Sequence, residues 1–168
     1  MDPLLEFFHR RPLTLLHTIL IDFYLPHSRP RDFPEDTSDS NGQSFLDFVQ
    51  KMSDLYSGTL KHWKVRFLPT RSISANKIGA AFANFRCLQD ILLPIEIMGG
   101  EEGMREYSLI VASHCPTLKF IHVLSEDPSS QLIFSLEIQR NFRITSDATA
   151  LEISIKEHRC YDKDWISI

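Results

Sequence analysis

His62, Lys64 and Arg66 alternate along the stretch Leu60-Lys61-His62-Trp63-Lys64-Val65-Arg66-Phe67, so in a strand all three donors project from one face. Asp22 and Asp90 occupy the corresponding positions of the flanking strand phrases. A stripe of this kind suits an acidic or phosphorylated protein partner, with Arg66 giving bidentate contacts and Lys64 a point charge. Leu20, Leu92 and Phe120 stand beside it as apolar anchors, with His122 in the same row. The bland alternative is charge pairing across a solvated sheet, Asp22 and Asp90 neutralising the cations between them.

Other reactive residues are poorly arranged for catalysis. His114 and Cys115 are a base beside a thiol, yet adjacent residues at a helix end point in different directions and no third group is implied. No nucleophile elbow, phosphate loop or paired-carboxylate motif accompanies them. His158 and Cys160 lack the close ligand pairs of a structural zinc site, and His9, His17, His27 and His62 are scattered. The residues therefore assign no catalytic group, no metal site and no cofactor, and the chain reads as a non-enzyme.

Composition narrows the class further. The 168 residues are 43% hydrophobic and 24% charged, which fits one folded domain of ordinary core size. A formal net charge of -4 opposes general phosphate binding, so no nucleic-acid partner is expected. The opening Met1-Asp2-Pro3-Leu4-Leu5-Glu6 lacks the basic start of a secretory signal, and no apolar run is long enough to span a bilayer. Cys87, Cys115 and Cys160 are odd in number and widely spaced, as in a reducing compartment. The expectation is an intracellular protein, cytoplasmic or nuclear, with no membrane partner.

What must position the stripe is a strand phrase that occurs four times. Apolar residues fall three and five places after an anchor in Leu16-Ile19-Ile21, Leu60-Trp63-Val65, Leu88-Ile91-Leu93 and Leu118-Ile121-Val123. The anchors Leu60, Leu88 and Leu118 are 28 and 30 residues apart, whereas the step from Leu16 to Leu60 is 44. Residues 25–43, rich in Pro, acid and Ser, account for the longer step as an acidic loop insertion, a solvated spacer or a docking or phosphorylation site at Ser38 or Ser40.

Between the anchors the spacing is helical. Leu4 to Arg11 reads as a first helix ended by Pro12, so the chain begins inside a repeat and reads as a piece of something longer. Ser44, with Asp47 three residues on, is placed to cap a second helix ended by Gly58. Ser74 caps a third from Ala75 to Phe85, where Ala80, Ala81 and Ala83 permit close packing, and a fourth runs from about Glu102 to Ser113. Helix followed by strand, three times, predicts parallel strands joined by crossover helices. Residues 128–168 form a C-terminal β cap, in which Leu132, Phe134, Leu136 and Ile138, then Leu151, Ile153 and Ile155, alternate as a last parallel pair or an antiparallel hairpin. The tail Tyr161 to Trp165 is expected to fold back on it.

The phrases Cys115-Pro116-Thr117-Leu118-Lys119-Phe120-Ile121-His122-Val123 and Cys87-Leu88-Gln89-Asp90-Ile91-Leu92-Leu93 resemble leucine-rich repeats, in particular the degenerate repeats of fungal F-box proteins. The likeness covers about residues 4–124, although the Asn or Cys that usually follows the strand is missing in each copy. It implies an α/β leucine-rich-repeat solenoid over 1–168, with parallel strands on one face, helices on the other and an irregular C-terminal β cap. It also implies a noncatalytic protein-interaction scaffold, the substrate-recognition part of an F-box-type ubiquitin ligase receptor, with a ligase adaptor as a further partner. No F-box is found. Leu93-Pro94-Ile95-Glu96-Ile97 is similar to the opening of one but runs into Gly99-Gly100. The rival expectation is a stand-alone structural or regulatory repeat domain, or a truncated gene product, without any ligase role.

Overall fold

An apolar residue three and five places after each anchor can be buried only if something packs on that side of the strand, and the intervening helices supply it. The computed structural model describes residues 16–22, 40–66, 73–124, 132–144 and 149–161. It is an α/β arrangement of one six-stranded mixed sheet and three α-helices. The strands are β1 (Thr18–Asp22), β2 (His62–Arg66), β3 (Asp90–Pro94), β4 (Phe120–Leu124), β5 (Leu132–Ile144) and β6 (Thr149–Tyr161), in sequential order across the sheet. The helices are α1 (Ser40–Tyr56), α2 (Ala75–Phe82) and α3 (Glu101–His114). A short 3-10 helix, Ile95–Met98, precedes α3.

β1 to β4 are parallel neighbours. Their entries repeat one device. His17 O accepts from the amides of Lys61 and His62, Lys61 O from those of Gln89 and Asp90, and Gln89 O from those of Lys119 and Phe120, at 2.6 to 3.2 Å. Each accepting carbonyl belongs to the residue after an anchor leucine, so the phrase copies are equivalent in space as well as in sequence.

One hydrophobic cluster joins the helices to one side of the sheet. Trp63 lies at its centre, fully buried, with Phe82 at 5.3 Å, Phe48 at 5.7 Å, Phe85 at 5.9 Å and Phe45 at 6.4 Å between ring centroids. α1 packs on α2 and α2 on α3. α2 and α3 also approach closely at Gly79, where a Cβ would come within 2.7 Å of the His114 ring.

Several boundaries depart from expectation. α1 begins at Ser40, placing Ser44 inside the helix rather than at its cap; Asp47 accepts instead from Gln43 Nε2 one turn earlier, at 2.8 Å. The acidic insertion expected over 25–43 therefore gives way to helix at its last four positions, while residues 25–39 lie outside those described. α2 stops at Phe82, three residues early, while its Ser74 cap accepts from the Lys77 amide at 3.4 Å as expected. Gly99 and Gly100, at φ of 77° and 82°, make the turn into α3 that residues with a Cβ avoid. The first helix (Leu4 to Arg11) and all of the tail beyond Tyr161 lie outside the described residues.

The sheet is not purely parallel, and its closing part is not irregular. β5 and β6 are an antiparallel hairpin of two 13-residue strands, and β5 runs antiparallel to β4. The short connection between them permits antiparallel pairing without a crossover helix. β4 is only five residues long, so beyond Ile138 the hairpin projects past it and over the C-terminal end of α3.

There Arg140 does what alternation could not announce. It takes the next inward position after Phe134, Leu136 and Ile138, and its guanidinium donates to Leu118 O at 2.5 Å, Cys115 O at 2.8 Å and Ala112 O at 3.1 Å. These carbonyls end α3 or lie just past it, where helical partners run out and a cation is favoured.

Candidate functional site

The side of the sheet opposite the helices carries the residues two and four places after each anchor. Strand register lines them up. One rung reads Thr18, His62, Asp90, Phe120, Glu137 and Lys156 across the six strands. On the next, Leu20 stands opposite Lys64, and Leu92, His122, Ser135 and His158 follow from β3 to β6. Asp22 and Arg66 are backbone partners at the end of β1 and β2, while their side chains lie outside the described part.

The centre of this face is a hydrogen-bonded cluster. His62 Nδ1 lies 2.5 Å from Asp90 Oδ2, bridging β2 and β3. The histidine is half-buried, whereas Asp90 is only 8% exposed, and its other oxygen, Oδ1, meets no donor among the described residues. With Nδ1 held by the carboxylate, the ring nitrogen available to a ligand is Nε2. Phe120 and His122, two residues apart on β4, stack with centroids 6.1 Å apart and planes 11° from parallel. Burial holds the His122 imidazole below its ordinary pKa; Asp90 opposes that shift, and Lys64 and His62 reinforce it.

The seven expected site residues whose side chains are described, Leu20, His62, Lys64, Asp90, Leu92, Phe120 and His122, share one face but not one environment. Leu20 is 70% exposed at the outer strand. Leu92 is 4% exposed and Asp90 is buried, so the expectation that Leu92 offers an accessible apolar anchor is corrected. A side chain in a central strand loses its solvent to neighbours on both sides, which an edge residue such as Leu20 does not. Phe120, His122 and Lys64 are half-buried. Cross-strand pairing, the alternative to a binding stripe, does occur between His62 and Asp90, and it ties up part of the donor stripe.

Sequence reasoning missed a second such pair. His158 Nε2 lies 2.9 Å from Glu137 Oε2 between β6 and β5. The signal existed in the period-two alternation of both strands, but it could be read only once their antiparallel register was known.

His114 and Cys115 both lie against α2 close to Gly79, where they meet different partners. The His114 ring meets Asn76 Oδ1 at 3.2 Å, while the Cys115 thiol is 2% exposed and donates to Gly79 O at 3.6 Å. Burial pushes that thiol up to about 12, against a smaller opposing influence of Arg140, so it stays protonated at neutral pH. Among the described residues no three His, Cys, Asp or Glu side chains converge to hold a metal ion. None of the described helices is long and apolar enough to cross a membrane.

Neither family models, nor curated proteins, nor solved structures give a match to this chain.

Proposed function

We propose that the chain is a noncatalytic protein-interaction scaffold, a leucine-rich-repeat solenoid whose open sheet face captures a protein partner. The observation that carries this reading is the strand register. It brings Thr18, His62, Asp90 and Phe120, one from each of four consecutive repeat phrases, into a continuous rung on a face that the three helices leave uncovered. The repeated carbonyl step at His17, Lys61 and Gln89 supports the repeat assignment. The partner chemistry is acidic or phosphorylated, met by Lys64 and Arg66 beside His62, with Leu20 and Phe120 as apolar flanks. By its resemblance to fungal F-box proteins, the scaffold is the substrate-recognition part of a ubiquitin ligase receptor.

Affinity capture from cytosol with the wild-type chain beside a Lys64→Glu, Arg66→Glu variant tests this, after both are found to melt alike. Prey lost from the variant alone supports the sheet face as the working surface. Ligase adaptors among the retained prey support the receptor role. Identical prey from both proteins sinks the assignment of the face, and a complete lack of adaptors favours a stand-alone structural or regulatory domain.

A further inference from the structure

We infer that the outer edge of β6 pairs antiparallel with β6 of a second copy of this chain, centred on Ser154, to make a two-fold dimer with one continuous sheet. β6 ends the sheet order, and among the described residues no strand covers its outer side. It is 13 residues long and free of proline, whereas the opposite edge strand, β1, has five residues. A long uninterrupted edge is a template for another strand, and single-chain proteins usually blunt it.

The sequence of β6 is self-complementary about one residue. With Ser154 opposite its own copy, Glu152 faces Lys156 of the second copy, and the two-fold axis repeats that pair. Glu152, Ser154 and Lys156 share the open face, because Lys156 and Glu137 are register partners there, and both charged residues are exposed. On the helix side the same register sets Ile153 against Ile155 of the second copy, twice. Ile153 is half-buried at the rim of the core and Ile155 is 8% exposed, so pairing extends an apolar layer already present.

Neighbouring registers are worse. Centring on Ile155 would set Glu152 against His158, which Glu137 already engages, and leave Lys156 opposite Ser154. Centring on Ile153 leaves Lys156 opposite Ala150 and Glu152 opposite Ser154. A lysine in the middle of an edge strand ordinarily repels pairing. Here the Ser154-centred register converts it into the contact that selects a second copy over an unrelated strand.

The test uses the full chain and two single charge reversals, Glu152→Lys and Lys156→Glu, each first checked for wild-type secondary structure and melting. Sedimentation across a wide concentration range should show a reversible wild-type dimer. Each reversal replaces two attractive pairs by two repulsive ones and should weaken self-association by about tenfold or more. Mixing the two variants restores opposite charges at both contacts, so the mixture should form a heterodimer although neither variant self-associates. A wild-type chain that stays monomeric at every concentration overturns the proposal, however the variants behave. A wild-type dimer whose association is untouched by both reversals overturns it too, as does a mixture of folded variants that fails to associate.

Discussion

His62 Nδ1 and Asp90 Oδ2 lie 2.5 Å apart across the boundary between β2 and β3, joining two consecutive repeat phrases on the face away from the helices. Asp90 is the buried partner, so the pair matters more to the aspartate than to the half-exposed histidine. His62→Ala should leave that carboxylate without its partner and cost about 1–3 kcal/mol in denaturant unfolding. Asp90→Asn keeps the shape without the charge and should cost less. Equal unfolding midpoints for His62→Ala and wild type would show that the pair contributes nothing.

Trp63 fills the space among Phe45, Phe48, Phe82 and Phe85, which come from α1, from α2 and from the segment after it. Trp63→Ala should therefore destabilise by about 3–5 kcal/mol. Trp63→Phe should cost less, since it retains an aromatic ring and removes an indole N–H that meets no acceptor among the described residues. A midpoint that hardly moves in Trp63→Ala would contradict its central place in the core.

Arg140 is predicted to hold the hairpin to α3. Arg140→Met keeps much of the stem but removes every donor, and with three carbonyls losing a charged partner it should cost about 1.5–3 kcal/mol. Amide exchange should quicken in the last turn of α3 and in the distal half of β5. Arg140→Lys should rescue only part of this, because one ammonium cannot reproduce the planar fork. Full rescue by lysine would mean that charge alone, not the fork, secures the contact.

The buried His122 imidazole makes stability depend on pH. Its folded pKa lies below the ordinary 6.5, chiefly through burial, so between those values the unfolded chain binds more protons than the folded one. The stability associated with neutral His122 is complete above 6.5 and is lost as pH falls from 6.5 towards the folded value. His122→Gln should flatten that part of the stability profile, read from denaturant midpoints at a series of pH values. An unchanged slope would assign the effect to other groups.

Cys115 should resist alkylation in the native state at mildly alkaline pH, since burial raises its pKa to about 12. Cys87, half-buried, should react before Cys115. Peptide mapping after a short exposure to iodoacetamide distinguishes them, and preferential labelling of Cys115 would place its thiol in a more open environment.

The sequence by itself determined which side each strand residue takes. The offsets from Leu16, Leu60, Leu88 and Leu118 put Trp63, Ile91 and Ile121 in the core and His62, Asp90 and Phe120 on the other face, because period two is a local property of an extended chain. Sequential helix and strand phrases likewise made β1 to β4 parallel neighbours. Tertiary structure alone decided how the pattern closed. The alternation of β5 and β6 is the same in parallel and antiparallel pairs; the pairing between distant residues chose the hairpin and so brought His158 to Glu137. Burial of Leu92 and exposure of Leu20, equivalent in sequence, follow from having neighbours on two sides or on one. Nothing in the sequence marks the role of Arg140, because the carbonyls at the end of α3 come within its reach only in the folded chain.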